Sequence, residues 1–216
     1  MLNLRNLKWT LPEIKKKVKI LKDNEIYRVA DVLRFNRSHK VIQEILTNPK
    51  YEPTLLHKHF TSNRKRFFDT LVAEKDSFGL KFYDKDYVLV HVRLGDDLSI
   101  RGLHEKNQNI LLEKINTYDL KKKIIIVTAC HYGHHHDNLK FYRDNYYQFT
   151  EENYEKNIEC LYGFISKIQH YVEDIVSNTN IDIDMLQLVF SENTVACQNA
   201  GGFAKKIIQW CKMKTG

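Results

Sequence analysis

Two short, continuous apolar runs constrain the fold of this chain more than any other feature. The first is YVLVHV at 87–92 and the second is KIIIVTA at 123–129, and both are rich in β-branched residues. An unbroken apolar run of this length predicts a strand that is buried on both faces of a sheet. A third strand is predicted at 193–198, where the sequence reads NTVACQ.

Helices are predicted around these strands, because apolar residues there recur at helical spacing. In the later part of the chain they cover 107–120, a long segment at 151–178, 182–192 with Asp182 at the N-cap, and 203–213. In the earlier part they cover 38–48 and 61–79, the latter ending near Gly79, while 25–35 fits a helix or a strand.

Strands that alternate with helices imply right-handed crossovers and a parallel sheet. We therefore predict an α/β fold, with a Rossmann-like parallel sheet and flanking helices in residues 86–216. A small, mainly helical region in residues 1–85 precedes it. The length of 216 residues is enough to bury a sizeable core, and the 43% hydrophobic content argues against disorder.

The positive charge is concentrated in the first part of the chain. The formal net charge is +7, and residues 1–90 carry 19 Lys and Arg against 11 Asp and Glu, whereas 91–216 carry 15 against 16. A basic face in the first part could meet nucleic acid, an anionic membrane surface or a phosphorylated substrate. The plainer alternative is a solvated helix surface.

Cysteine usage and the absence of targeting signals predict the compartment. The four cysteines form no C-x-x-C pair, which is typical of reduced, buried thiols in an intracellular protein. Residues 1–20 contain no signal-peptide core, and no run approaches the roughly 18 apolar residues of a membrane-spanning helix. We expect a soluble, cytoplasmic protein whose membrane contact, if any, is peripheral.

Polar residues follow each predicted strand, and ligands of parallel α/β sheets usually bind beyond the carboxyl ends of the strands. After the first strand, the Arg93 guanidinium offers a permanently charged fork of donors that suits phosphate oxygens, and His91 faces the same side. Gly95 permits a sharp turn, and Asp96 or Asp97 could accept a proton or hold a sugar hydroxyl. A buried Arg–Asp pair that ties the strand to a loop is the structural alternative.

The third strand leads through NAGG into the last helix, so free backbone N–H groups and the helix dipole could meet an anion at Gly201 and Gly202. A plain turn is the alternative. The second strand ends in CHYGHHHDN at 130–138, with four histidines. A glycine-interrupted loop fits catalytic zinc motifs poorly, so we expect no metal site; His131 lining a pocket, or a solvated polar loop, is favoured.

The stretch from His91 through Arg93 and Gly95 to Asp96 resembles the H-x-R-x-G-D hallmark of the fucosyltransferase-type superfamily of glycosyltransferases. That superfamily includes α1,2-, α1,6- and protein O-fucosyltransferases, and many members carry a second Arg where this chain has Leu94. The region from Asp184 through NTVACQNAGGFAKKI is similar to the last motif of the family, so the resemblance covers about residues 86–216.

This resemblance implies a GT-B-like site for a nucleotide sugar, inversion at the anomeric carbon, and no required metal or cofactor. It implies that Arg93 binds the donor β-phosphate, that backbone groups near Gly201 and Gly202 contact the diphosphate, and that Asp184 lies near the nucleotide. The default donor is GDP-fucose and the acceptor is a glycan hydroxyl. The expected catalytic residues are Arg93, Asp96 and Asp97, with His131 as a reserve base, and the expected donor-binding residues are His91, Arg93, Gly95, His131, Tyr132, Asp184, Asn199, Gly201, Gly202 and Phe203.

Three other functions fit parts of the sequence. The basic runs KKKVKILK at 15–22 and NRKRFF at 63–68 would suit a protein that binds nucleic acid or an anionic surface, although no recognised nucleic-acid module is present. An inactive sugar-nucleotide-binding homologue and a metallohydrolase that uses the histidine loop are the other two. The oligomeric state is left open by the sequence.

Overall fold

The computed structural model describes residues 8–22, 68–69, 71–73, 75–95, 103–119, 121–132, 149–178, 181–200 and 202–215. The predicted helix at 38–48 and the ambiguous segment at 25–35 lie outside the described residues. Of the helix predicted at 61–79, residues 68–69 and 71–73 are helical, and a 3-10 helix at Lys75–Phe78 follows. Gly79 ends it with a φ of 63°, a conformation that glycine adopts without strain.

Besides the helical residues at 68–69 and 71–73 and two 3-10 helices, five α-helices and seven strands have bounds within the described residues. The helices are α1 (Leu11–Lys17), α2 (Glu105–Ile115), α3 (Glu151–Ser166), α4 (Ile181–Phe190) and α5 (Gly202–Thr215). The strands are β1 (Ile20–Lys22), β2 (Tyr87–His91), β3 (Leu94–Gly95), β4 (Lys123–Val127), β5 (Cys130–Tyr132), β6 (Val172–Val176) and β7 (Thr194–Ala196). None of the described helices is long and apolar enough to cross a membrane.

Four parallel strands form the main sheet in the order β6-β4-β2-β7, which confirms the predicted parallel α/β sheet. The two central strands are the predicted apolar runs, and their side chains are buried on both faces. From β2 the chain moves outward to β4 and β6, then crosses back to β7 on the other side of β2. The direction of winding therefore reverses between β2 and β7, as in a Rossmann-like fold.

The helices form two pairs around this sheet. Helix α2 contacts α3, where Gln108 Nε2 lies 3.5 Å from Cys160 Sγ. Helix α4 contacts α5, where Cys211 Sγ lies 3.7 Å from the carbonyl oxygen of Leu188. The crossovers through α2 and α3 run from β2 outward to β6, and the crossover through α4 runs back from β6 to β7. Right-handed connections therefore put α4 on the opposite face of the sheet from α2 and α3. Helix α5 contacts α4 and lies on the same face as α4.

A second ladder, β1-β5-β3, continues the first one. His91 pairs with Val127 in the main sheet and Leu94 pairs with Cys130 in the second, so both ladders share an offset of 36 residues. Between them Thr128 Oγ1 donates to the carbonyl oxygen of Val92 at 2.7 Å. Strand β3 thus continues the direction of β2, and β5 continues that of β4. Strand β1 pairs with β5 on the same side on which β6 pairs with β4.

The long helix predicted at 151–178 is wrong, because α3 ends at Ser166 and Val172–Val176 is the edge strand β6. The reason is a bulge in β6: Ile124 of β4 pairs with Val172, and the next residue, Ile125, pairs with Asp174, so Glu173 is an extra residue in the strand. This bulge leaves Val172 and Ile175, three positions apart, both buried, so an irregular strand carries the spacing of a helix. Asp182 is also not the N-cap of α4, because the helix already begins at Ile181.

The described part of the N-terminal region packs on the C-terminal half. The indole Nε1 of Trp9 donates to the carbonyl oxygen of Val172 at 3.0 Å, and Ile14 of α1 is fully buried. Lys15 forms an ion pair with Glu155 of α3 at 2.5 Å. Residues 8–22 are thereby fixed to α3 and β6, and the domain boundary between 85 and 86 stays a prediction.

Candidate ligand site at the sheet edge

The winding reverses between β2 and β7, and open α/β sheets generally bind ligands in a crevice at the carboxyl edge beside such a reversal. Strand β2 ends at His91 beside Ala196, the last residue of β7. From there the chain runs through Val92 and Arg93 on one side. On the other side it runs through a 3-10 helix, Gln198–Ala200, into α5.

Arg93 lies at the expected position of this crevice, between the end of β2 and the 3-10 helix that follows β7. Its side chain is partly buried, and Nη1 donates to the carbonyl oxygen of Ala200 at 3.4 Å. The first and third predicted strand ends are therefore adjacent in space. A guanidinium that is half enclosed and stays charged at any working pH can bind an anionic group that enters between β2 and α5.

His91 forms the buried floor beside Arg93. Its ring is 8% exposed and its centroid lies 5.2 Å from that of Phe203 in α5. Burial, helped by the positive charge of Arg93, lowers the pKa of His91 to about 3, so the imidazole is neutral near pH 7. Its Nδ1 is buried and finds no hydrogen-bond partner in the described part of the chain. The imidazole of His91 is therefore a neutral buried group beside Arg93 and does not add a second positive charge.

Gly95 allows a close backbone contact, and the predicted turn stays a prediction because residues 96–102 lie outside the described residues. It lies in β3 with a φ of 103°, and a Cβ at this position would come within 2.2 Å of the carbonyl oxygen of His131. Asn157 of α3 holds it there, because Oδ1 accepts from the Gly95 N–H at 2.7 Å. Leu94, which stands where many members of the resembling family carry Arg, is 1% exposed and belongs to the core.

The second strand end is enclosed. Tyr132 is 1% exposed, its hydroxyl accepts from Asn157 Nδ2 at 3.3 Å, and its ring packs edge-on against Phe149 at 5.5 Å. His131 is 9% exposed and lies in β5 opposite Gly95. The structure thus gives Tyr132 a packing function, while the remaining histidines of 133–138 lie outside the described residues.

Asp184 anchors a buried polar cluster at the beginning of α4. Its Oδ1 accepts from Asn178 Nδ2 at 2.6 Å, and the same amide donates to Gln187 Oε1 at 2.9 Å. Burial raises the pKa of Asp184 to about 7, against the opposing effects of the Asn178 hydrogen bonds and the charges of His131 and Lys19. A carboxyl group in this state can exchange a proton near neutral pH.

The other predicted site residues fall into two groups. Asn199 is exposed in the 3-10 helix, Phe203 is buried against His91, and Gly202 is the first residue of α5. Asp96, Asp97 and Gly201 lie outside the described residues, so their predicted functions stay predictions.

Sequence reasoning missed Asn157, Asn178 and Gln187, which hold the backbone and carboxyl groups at this edge. Asn157 had a detectable signal, because it lies beside Ile158 on the apolar face of α3, where a polar residue needs partners. Asn178 and Gln187 had none, since their partners come from a loop and a helix that only the fold brings together.

Among the residues that the structure describes, no group of three His, Cys, Asp or Glu side chains is placed to hold a metal ion. No protein-family model matches the chain, and neither a curated protein nor a solved structure matches it significantly. The chemistry of the sheet edge is therefore the basis for the function.

Proposed function

We propose that the chain is an inverting glycosyltransferase that binds a nucleotide sugar at the carboxyl edge between β2 and β7. The observation that supports this most directly is the position of Arg93, a permanent cation where the sheet order reverses, 3.4 Å from the carbonyl oxygen of Ala200. A diphosphate placed there would meet this guanidinium and the beginning of α5 together. The resemblance of the H-x-R-x-G-D stretch points to a GT-B-like domain with GDP-fucose as the default donor.

In this mechanism the hydroxyl oxygen of a glycan acceptor attacks C1 of the sugar from the face opposite the diphosphate. The bond from C1 to the β-phosphate oxygen breaks, and its electron pair stays on that oxygen. Arg93 stabilises the growing negative charge. Asp96 or Asp97, with His131 in reserve, takes the hydroxyl proton. Neither a metal nor a cofactor is part of this proposal.

The neutral state of His91 supports this assignment of the cation. Protonation of His91 is opposed first by burial and then by Arg93 itself, so one positive charge and not two faces the crevice at neutral pH. Phe203 packs on the imidazole and closes the apolar side of the crevice. A single guanidinium in a half-enclosed setting binds a diphosphate more strongly than one in open water, because the local dielectric is lower.

A thermal-shift series with GDP, GDP-fucose, UDP and UDP-glucose tests the proposal. A ligand at 100 times its Kd stabilises the folded chain by about 2.7 kcal/mol, which is a clear rise in Tm. GDP-fucose and GDP should raise the Tm, and Arg93→Ala should abolish the rise. Lys123→Ala is the matched control, because Lys123 begins β4 at the opposite edge of the same sheet. It should leave the response intact.

Transfer is measured separately with radiolabelled GDP-fucose and a panel of glycan acceptors. Loss of Arg93 should lower the transfer rate about 10²–10³-fold, the usual effect of removing one preorganised donor. Near-normal donor affinity and transfer by Arg93→Ala would overturn the mechanism, and no response to any nucleotide would overturn the ligand class. Binding without transfer would instead identify an inactive sugar-nucleotide-binding protein.

The described lysines near the N-terminus do not favour the nucleic-acid alternative. Lys15, Lys16 and Lys17 form ion pairs with Glu155, Glu13 and Asp174 at 2.5–2.8 Å. The positive charges of these three lysines are therefore balanced locally, which weakens the case for a cationic face built on residues 15–17.

A further inference from the structure

A groove of about 350 Å³ lies along β7, away from the proposed donor site. Helices α2 and α5 flank it, and its apolar lining includes Val195, Ile207 and Ile208. Both helices begin at the carboxyl edge of the sheet, and the groove meets their C-terminal halves. Arg93 and Phe203 do not line it. The groove can therefore be tested independently of the nucleotide site.

Strand β7 is an edge of the main sheet and turns half of its backbone groups toward this groove. The Leu89 N–H donates to the carbonyl oxygen of Asn193 at 2.9 Å, so the backbone N–H and C=O groups of every second residue from Asn193 onward point toward β2. Thr194 and Ala196 accordingly direct their N–H and C=O groups away from β2. The Ala196 carbonyl oxygen accepts from Lys114 Nζ at 2.8 Å, which shows that it faces the groove.

The rim of the groove is basic. Lys114, Lys212 and Lys214 line it, against Glu192 as the one acidic residue among its lining residues. Lysines beside an edge strand generally discourage edge-to-edge association. They also attract a strand that carries carboxylates. An N–H group of such a strand can replace Lys114 at the Ala196 carbonyl, and its carboxylates can pair with Lys114 and Lys214.

We propose that β7 accepts an acidic, extended peptide segment of a partner protein as an additional strand. The alternating backbone groups of Thr194 and Ala196 supply the ladder hydrogen bonds, the apolar lining takes alternate side chains, and the lysine rim selects carboxylates. A second copy of this chain fits poorly, because pairing the same edge twice would place the three lysines of each copy against each other. A small anion would use the lysines but not the strand.

Fluorescence anisotropy with a labelled acetyl-EVEVEVE-amide peptide measures this binding in the full chain, and KVKVKVK is the charge-reversed control peptide. Only the acidic peptide should bind, and more weakly as salt rises. Thr194→Pro removes an outward N–H without removing a bond to β2, so it should weaken binding at least tenfold. Thr194→Ala is the matched control, since both variants lose the hydroxyl bond to the Leu188 carbonyl.

Charge reversal and amide exchange give two independent readouts. The double variant Lys212→Glu and Lys214→Glu should weaken the acidic peptide at least tenfold and reduce the salt dependence. In the unmodified chain, hydrogen exchange at the Thr194 and Ala196 amides should slow when the peptide is added. This second measurement decides the matter if Thr194→Pro does not fold, and unchanged exchange at both amides would overturn the proposal.

Three further outcomes would also overturn it. Equal binding of the two peptides would remove charge selection. Full competition by tripolyphosphate together with normal peptide binding by Thr194→Pro would identify a small-anion site. A concentration-dependent dimer in sedimentation velocity that Thr194→Pro dissociates would make this edge an interface between copies.

Discussion

Two polar regions at the carboxyl edge of the main sheet differ in what burial does to their charge. Between β2 and β7, Arg93 is partly exposed and keeps its charge. At the beginning of α4, Asp184 is 6% exposed, is held by Asn178, and has a pKa raised to about 7. The region that can bind an anion is therefore the one where a permanent charge stays accessible. The enclosed region favours a neutral carboxyl.

His91 sharpens this comparison, because it is buried beside Arg93 and its pKa is shifted in the opposite direction to that of Asp184. The His91 pKa falls from 6.5 to about 3, so the unfolded chain binds the extra proton and stability rises with pH across that window. The Asp184 pKa rises from 3.8 to about 7, so the folded chain binds the extra proton and stability falls as pH rises. Between about pH 4 and 6.5 the two effects oppose each other.

The largest effect is expected where β3 and β5 connect the two regions. Gly95→Ala would place a Cβ 2.2 Å from the His131 carbonyl oxygen at a φ of 103°. The atoms in the way belong to the His131 backbone, which cannot move aside without disturbing the pairing of β3 with β5. We therefore expect a loss of more than about 4 kcal/mol in the free energy of unfolding, or failure to fold. Urea denaturation followed by circular dichroism measures it.

Gly163→Ala is the control for this substitution. Gly163 lies in α3, and a Cβ there would meet nothing within 4 Å. Alanine should stabilise the helix by up to about 1 kcal/mol. A Gly95→Ala variant as stable as Gly163→Ala would show that the contact between β3 and β5 does not fix the edge.

The next effect isolates the enclosed region. The Asp184→Asn side chain keeps an oxygen that can accept the hydrogen bond from Asn178, and it has no group that can ionise. The variant should gain about 3 kcal/mol relative to the unmodified chain between pH 5 and pH 8, since each pKa unit is worth about 1.4 kcal/mol. Urea midpoints at both pH values measure the difference. A difference that does not grow with pH would mean that the Asp184 carboxyl is already ionised at pH 5.

A smaller effect of opposite sign isolates His91. His91→Leu removes the group that loses a proton on folding, so the variant should gain stability relative to the unmodified chain as pH falls. The expected gain is about 2 kcal/mol between pH 7 and pH 5. The same denaturation series measures it. A parallel pH dependence in the two proteins would place the His91 pKa near its ordinary value.

The sequence predicts the elements whose signal is local and misses those that depend on partners. Strands β2 and β4 are recognisable because burial on both faces leaves an unbroken apolar run. Strand β6 is not, since its bulge at β4 gives the apolar residues a helical spacing. The short strands β1 and β3 exist only through their pairing with β5.

The candidate site divides in the same way. Arg93 and the start of α5 are adjacent because parallel strands share a carboxyl edge, which topology alone predicts. The cluster around Asp184 is not predictable, because Asn178 reaches it from the loop after β6 and donates both to Asp184 and to Gln187 in the next turn of α4. A hydrogen-bond network of this kind depends on side-chain positions that no spacing rule supplies.

The smallest effect on stability is expected at the accessible region. Arg93→Gln removes a charge from a partly exposed side chain, where ion pairs and hydrogen bonds contribute little, so the free energy of unfolding should change by less than about 1 kcal/mol. The His91 pKa should stay low, because burial and not Arg93 is the main cause of its shift. The same variant should nonetheless lose the Tm rise with GDP. If Arg93→Gln lowered the free energy of unfolding by several kcal/mol without nucleotide, Arg93 would be a structural residue. The region between β2 and β7 would then stabilise the fold through its charged group, as the Asp184 region does through its hydrogen bonds.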